Sequence, residues 1–213
     1  MLVPAMPGCG RGRAATTPTG HLAQGGQPQA ALDRRRYRDR AVVVGHSLGG
    51  NIAQRLVRRA PVGYRGLGVM DSTWNTGPLN LLERVPLRLA APLLRLIPAR
   101  ALPRVMADAS AVTGAARADL VRAFSAMSKA EFLEVWRATT EFVTPDPDYR
   151  TLLPLLLMRG ADDRTGNIAK AMPRWAAAEG VPEVVISGAG HAVSLDAAES
   201  VNVHLLQFLH TSR

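Results

Sequence analysis

The stretch Ala41-Val42-Val43-Val44-Gly45-His46-Ser47-Leu48-Gly49-Gly50-Asn51-Ile52-Ala53 decides how this chain is read. Its first four residues, small or β-branched and apolar, predict a short buried strand. Gly45-His46-Ser47-Leu48-Gly49 follows, a G-x-S-x-G pentapeptide. Beyond it Ile52, Ala53, Leu56, Val57 and Ala60 recur at helical spacing until Pro61 stops the run. A serine at the tip of a tight strand-to-helix turn leaves no room for β-carbons two positions before and after it, which is the reason to find Gly45 and Gly49 there. Such a turn lifts the Ser47 hydroxyl clear of the backbone. It also sets the Leu48 N–H at a helix N-terminus, where an oxyanion can be bound. A plainer reading makes Ser47 only an N-cap residue on a glycine-rich turn. The strand before it and the amphipathic helix after it favour the nucleophile.

Gly45 to Gly50 resembles the nucleophile elbow of the α/β-hydrolase family. The resemblance implies a mostly parallel α/β sheet with flanking helices and a helical cap. It also implies a triad completed downstream by an acid and then a histidine. Gly160-Ala161-Asp162-Asp163-Arg164-Thr165-Gly166 comes after the apolar run from Thr151 to Met158 and resembles the family's G-x-x-D loop, which puts Asp163 in the acid position. Asp162 beside it and Asp71 at the end of the preceding strand are the alternatives. The physical requirement is a carboxylate at a strand end, able to accept a hydrogen bond from an imidazole Nδ1–H. Gly188-Ala189-Gly190-His191-Ala192 follows the last strand. Of the five histidines, His191 alone sits in a small-residue loop at a strand's C-terminal end, downstream of the acid. His46 belongs to the elbow and is expected to point away from the nucleophile's side. His204 and His210 fall in the final helix and His21 in the N-terminal arm, and all three read as surface groups.

The order Ser47, Asp163, His191 is that of the family, and the resemblance implies a serine hydrolase most like a small carboxylesterase. His191 would take the Ser47 proton, Asp163 would orient the imidazole, and Leu48 N–H would hold the oxyanion of an acyl-enzyme pathway. A serine at the elbow argues against the family's dehalogenases and epoxide hydrolases, which use aspartate there. Thioesterase, lactonase, carbon–carbon hydrolase and acyltransferase chemistry share the same residues. Neither a cofactor nor a metal is expected, and the implied partner is a small acyl substrate.

A chain of 213 residues with 47% hydrophobic content can bury a core. Cys9 is the only cysteine, so no intrachain disulfide forms, and a reducing, cytoplasmic setting is expected. No signal peptide is read at Met1-Leu2-Val3-Pro4, and the longest apolar run, Leu152 to Met158, is too short to span a bilayer. The formal charge is +9, and residues 1–40 hold seven arginines against Asp33 and Asp39, a net of +5. Such an arm could meet nucleic acid or an anionic surface. No recognition helix, zinc spacing or aromatic-interleaved basic stripe accompanies it, so no nucleic-acid partner is expected.

Residues 1–12 read as a strand end and loop; Gly8 and Gly10 match the family's D-x-x-G-x-G-x-S, while Ala5 and Gly12 replace its aspartate and serine. On that alignment the family's first strands and the loop that gives its second oxyanion N–H have no room. The chain therefore reads as N-terminally truncated, and a weakly active or non-catalytic remnant is the rival expectation. Val42–Val44 would then pair with Leu2–Val3 or form an open sheet edge. Residues 13–40 read as a flexible basic arm. Residues 41–72 and 151–213 read as the core, with strands at 66–71, 151–160 and 182–188 and helices at 167–178 and 195–210. The last helix is expected to carry Val201, Leu205, Leu206, Phe208 and Leu209 on or near its buried side. Residues 73–150 lack strand signals and read as a helical cap. Within it Thr113 caps a helix to about Met127, and Ser128-Lys129-Ala130-Glu131 is a capping box. Trp74, Leu93 and Leu94 are the expected substrate-binding residues. Leu87, Leu89, Leu96 and Ile97 could share that lining or only pack the cap onto the core.

Overall fold

The computed structural model describes residues 41–78 and 93–212. The expectations for residues 1–40, and for Leu87 and Leu89, lie outside that range. Strand β1 (Ala41–His46) runs into helix α1 (Leu48–Arg59), and a short 3-10 turn at Pro61–Gly63 leads to β2 (Tyr64–Met70). Among the described residues there follow α2 (Leu102–Ser110), α3 (Gly114–Ser125) and α4 (Lys129–Glu141). The chain then returns through β3 (Leu155–Gly160), α5 (Ile168–Glu179), β4 (Glu183–Ile186), α6 (Val193–Asp196) and α7 (Ala198–Thr211).

The four described strands form one parallel sheet in the order β1-β2-β3-β4. Val43 lies opposite Leu67, Met70 opposite Met158, and Gly160 opposite Ile186. Parallel strands buried on both faces need apolar residues on both, and alternate residues of β3 divide between two cores. Leu157 packs with Ile52, Leu56 and Val57 of α1 and with Met172 and Trp175 of α5. Leu156 and Met158 pack on the other face with Ile186, Val201 and Phe208. The sheet is thus covered by α1 and α5 on one side and α7 on the other. On α7 the buried residues Val201 and Phe208, with half-buried Leu205, lie at helical spacing. Leu206 and Leu209 lie near that side and not on it: they are 56% and 41% exposed, each about one residue's turn, roughly 100°, off the stripe.

Local signals set the helix ends. The Thr113 hydroxyl accepts from Ala116 N–H at 3.2 Å. The capping box forms in both directions: Glu131 N–H donates to Ser128 Oγ at 3.2 Å and Ser128 N–H to Glu131 Oε2 at 2.7 Å. Gly180 ends α5 in the left-handed conformation, φ 67°. Behind the elbow a buried amide network ties α1 to the segment after β2. Asn51 Nδ2 donates to Asn75 Oδ1 at 2.7 Å, Asn75 Nδ2 returns a bond to Asn51 O, and Gln54 Nε2 donates to Thr73 O at 2.9 Å.

The crowding around the elbow differs from expectation. A β-carbon at Gly45 would stand 2.2 Å from Gly49 O, whereas one at Gly49 would meet nothing within 4 Å. The second crowded position is Gly50, where a β-carbon would lie 2.6 Å from Ser72 Cβ. Helix α1 turns away at Gly49 and presses Gly50 onto the segment after β2. Three alanine variants separate these positions in thermal melts followed by circular dichroism. Gly49→Ala keeps or gains stability, by up to about 1 kcal/mol, because glycine is a poor helix residue. Gly50→Ala loses about 1–3 kcal/mol by overpacking. Gly45→Ala meets rigid backbone and yields little folded protein.

Candidate active site

All four strands point their C-terminal ends the same way, and the chain leaves three of them carrying a polar residue named above: Ser47 after β1, Asp71 after β2 and Asp163 after β3. His191 lies in the loop after β4. Ser47 adopts φ 53° and ψ −123°, an unusual backbone for a residue with a side chain. Its N–H is held by Met70 O at 2.9 Å, and its carbonyl accepts from Gly50 and Asn51 N–H as α1 begins. The side chain is thereby aimed out of the turn. Ser47 Oγ lies 2.9 Å from His191 Nε2, and His191 Nδ1 lies 3.1 Å from Asp163 Oδ2.

Asp163 is fully buried. Burial alone would raise its pKa. The hydrogen bond and charge of His191, joined by Thr165 N–H on Oδ1 at 2.7 Å, outweigh that and hold the carboxyl below its usual range. An ionised carboxylate can only accept, so the proton sits on His191 Nδ1, leaving Nε2 free to accept the Ser47 hydroxyl. Leu48 opens α1, and its N–H has no acceptor within the helix. Asp162 is exposed and Asp71, though buried, is hydrogen-bonded to Gly160 N–H. The imidazole thus bonds Asp163 rather than either alternative.

His46 does not point clear of the site. Its Nε2–H donates to the His191 carbonyl at 2.6 Å, and the two rings lie 5.1 Å apart. Burial, followed by the neighbouring His191, pushes its pKa down to about 4, so the ring is a neutral donor at pH 7. A second tether is the Asp196 carboxylate at the end of α6. It accepts from Gly190 N–H beside His191 and from Val112 N–H, Thr113 N–H and Thr113 Oγ1 at the start of α3. One side chain so joins the histidine loop to the helical region. Burial would raise the Asp196 pKa, but these donors outweigh it and lower it. Neither tether was legible in sequence, since each depends on residues far apart in the chain.

Above Ser47 a cavity of about 170 Å³ is lined by Leu48 of α1, Met106 of α2, Phe124 of α3 and Ile168 of α5. Phe132, Val135, Trp136 and Thr139 of α4 line it as well, and its floor is polar, with Asp71, Ser72, Thr73 and Thr165 beside Ser47 and His191. The four α4 residues recur at i, i+3, i+4 and i+7, one helix face, a signal the sequence does contain. The residues expected to bind substrate lie elsewhere. Trp74 stacks on Trp175 at 6.0 Å and 3° within the core, and Leu93 is 59% exposed. Neither they nor Leu94 line this cavity. Asp71, Asp163 and His191 offer donor atoms within 4.8 Å of one another. Both His191 nitrogens are engaged in the structure, by Asp163 and by Ser47.

Residues 1–203 match the sequence profile described as the alpha/beta hydrolase family. The chain belongs to that family. Many solved structures share its fold, among them an esterase from Thermogutta terrifontis, similar at TM-score 0.67 and 19% identity over 90% of this chain and 72% of that one. Another is the 2-hydroxy-6-oxo-6-phenylhexa-2,4-dienoate hydrolase of Rhodococcus sp. strain RHA1, at TM-score 0.69 and 18% identity over 92% and 74%. A hydrolase from Pseudomonas aeruginosa PA01 matches at TM-score 0.69 and 18% identity over 88% and 71%. No curated protein matches by sequence. Identities at this level show the alpha/beta hydrolase fold, and the family makes the chain a hydrolase. Among the described residues no helix is long and apolar enough to cross a membrane.

The half-buried ring of His46 gives the fold an acid-sensitive point. The unfolded chain protonates this ring near 6.5 and the folded chain only near 4, so stability is lost as pH falls through that window. Urea denaturation at steps across it should show a loss approaching ~3 kcal/mol at the acid end. His46→Gln, which keeps a donor but does not titrate, should flatten the slope. Asp196→Ala strands several backbone donors and should cost about 2–4 kcal/mol in the same assay.

Proposed function

We propose that this alpha/beta hydrolase cleaves ester-type acyl bonds with a Ser47–His191–Asp163 triad, through an acyl-enzyme. The observation that carries the reading is the continuous pair of hydrogen bonds from Ser47 Oγ to His191 and from His191 to the buried Asp163. In the proposed reaction His191 Nε2 takes the hydroxyl proton as Ser47 Oγ attacks the substrate carbonyl. The Asp163 carboxylate stabilises the imidazolium. The Leu48 N–H faces the oxygen on which charge develops. His191 then returns the proton to the departing alkoxide, and water repeats the sequence to free the acid and Ser47.

The cavity supports a small, uncharged acyl group. Its volume of about 170 Å³ is close to that of an apolar cavity that holds benzene, of order 150 Å³. Among its described lining residues, none is a lysine or arginine that could pair with a substrate carboxylate. The helices α2–α4 that roof it act, on this reading, as the family's cap. Thioester cleavage or acyl transfer would use the same residues with a different leaving group or acceptor.

Assays with p-nitrophenyl esters test this directly. Acetate and butyrate should be hydrolysed faster than decanoate, and Ser47→Ala and His191→Ala should each lose at least about 10⁴-fold in kcat. Asp163→Asn, which forces the wrong tautomer, should lose a similar factor. Activity that survives Ser47→Ala would reject the triad. A fluorophosphonate probe separates the enzyme from a remnant that only keeps the residues: folded protein should carry one adduct, on Ser47.

A further inference from the structure

Asp71 is a buried acid for which the proposed reaction has no use. It ends β2 with φ 41°, its side chain is wholly inaccessible, and its Oδ1 accepts Gly160 N–H at 2.8 Å. Its Oδ2 is buried and receives no hydrogen bond. Beside it stands a second buried carboxyl, Asp163, which has donors of its own on both oxygens, Thr165 N–H on Oδ1 and His191 Nδ1–H on Oδ2. The donor atoms of Asp71, Asp163 and His191 fall within 4.8 Å of one another. Two buried carboxylates this close cannot both stay ionised. Asp163, with His191 and Thr165 to stabilise its charge, is the one that keeps it.

We propose that Asp71 carries a proton on Oδ2 and donates it to the Asp163 carboxylate, making Asp71 a positioning residue that sets the basicity of His191 through Asp163. The inference rests on the Ser47–His191–Asp163 reading. The surroundings agree. Burial, with Asp163 reinforcing it, pushes the Asp71 pKa up to about 9, against the opposing Gly160 N–H and Arg159. Arg159 of β3 is the cation that would favour the ionised form, and its Nε is committed to Glu183 at 2.8 Å. His46 of β1 is neutral above about pH 4 and brings no charge. Each oxygen of the pair is then satisfied, and the proton remains on Asp71 throughout turnover. An extra donor on Asp163 spreads its charge, so the carboxylate pulls less strongly on the imidazolium.

Asp71→Asn decides the proton state. Asparagine tolerates positive φ, accepts from Gly160 N–H with its Oδ1, and offers Nδ2–H to Asp163 where the acid offers O–H. The acid limb of the kcat/KM profile for p-nitrophenyl butyrate should therefore stay in place, with kcat within about twofold of wild type. Asp71→Gly accepts the backbone but removes the donor, and should move the acid limb up by roughly one pH unit. If Asp71 is ionised instead, Asp71→Asn deletes a negative charge beside His191 and moves the limb down, which overturns the proposal. Infrared difference spectra of wild type need no variant to be active. A protonated carboxyl band should persist from about pH 5 to about pH 8 and vanish in Asp71→Asn. Absence of that band sinks the idea even if Asp71→Asn fails to fold. Activity lost to EDTA and restored by a divalent cation would assign the three donors to a metal and equally overturn it. The two readings fail separately. Survival of activity in Ser47→Ala rejects the triad, whereas a dead Ser47→Ala with a shifted Asp71→Asn profile rejects only the proton on Asp71.

Discussion

The constraint on which the rest of the molecule depends is the close approach of β1 to the first turn of α1. Ser47 occupies φ 53° and ψ −123°, a conformation that costs a residue with a β-carbon about 1–3 kcal/mol. It persists because its neighbours leave it no alternative. Gly45 lies against the Gly49 carbonyl, Gly50 against Ser72, and Met70 O holds the Ser47 N–H. Relaxing the serine would require β1, α1 and β2 to separate. Each is anchored by apolar side chains, Val69 and Leu67 of β2 packing on Ile52 and Val57 of α1. Apolar burial far from the hydroxyl thus sustains the strain that exposes it.

The same sheet geometry explains why four separate loops can meet. Parallel strands deliver the residues after β1, β2, β3 and β4 to one edge, but they do not fix loop conformation. Here hydrogen bonds from side chains do that. The amides of Asn51, Gln54 and Asn75 fix the segment after β2, Thr165 N–H fixes Asp163, and the His191 loop is held by His46 at the His191 carbonyl and by Asp196 at the Gly190 N–H. Asp196 also reaches Val112 and Thr113, so the roof of the cavity and the imidazole share one anchor. The Ala192 N–H also donates to Ser110 O at the end of α2, so a displacement of the helical region would be felt at His191 through both contacts.

What the sequence revealed follows from the range of the interactions involved. The elbow, the capping box at Ser128 and Glu131, and the Thr113 cap are local, made by residues within about four positions, and all were legible. The Asp163 and His191 positions were legible because a strand end and a glycine-rich loop are also local, and the family order joined them. Gly49 is open and Gly50 crowded because crowding depends on what lies across the turn: Ser72 faces Gly50, and no pattern within the elbow says so. Trp74 looked like a pocket residue and is a core residue because Trp175, about a hundred positions on, provides a flat partner. The aromatic face of α4 was written in plain helical spacing. Periodicity, however, says which residues share a face and not what that face meets, so it does not separate this face from the leucines near Leu93.

Gathering two buried carboxyls, Asp71 and Asp163, beside the half-buried His191 behind one serine poses an electrostatic problem that charge alone does not solve. Two carboxylates and a neutral imidazole would leave an excess negative charge in a place water does not reach, where isolated charge is most costly. A single proton shared between the carboxyls removes that excess without removing the charge His191 needs. The division of labour between the two aspartates then follows from their donors and not from their chemistry. Asp163 has two donors apart from Asp71, and Asp71 has one, so the proton belongs where it leaves the fewest lone pairs unmet. Both acids end a strand, and both were candidates for the same role. What separates them is the N–H of Thr165, two residues beyond Asp163, which a loop conformation supplies and a strand end does not.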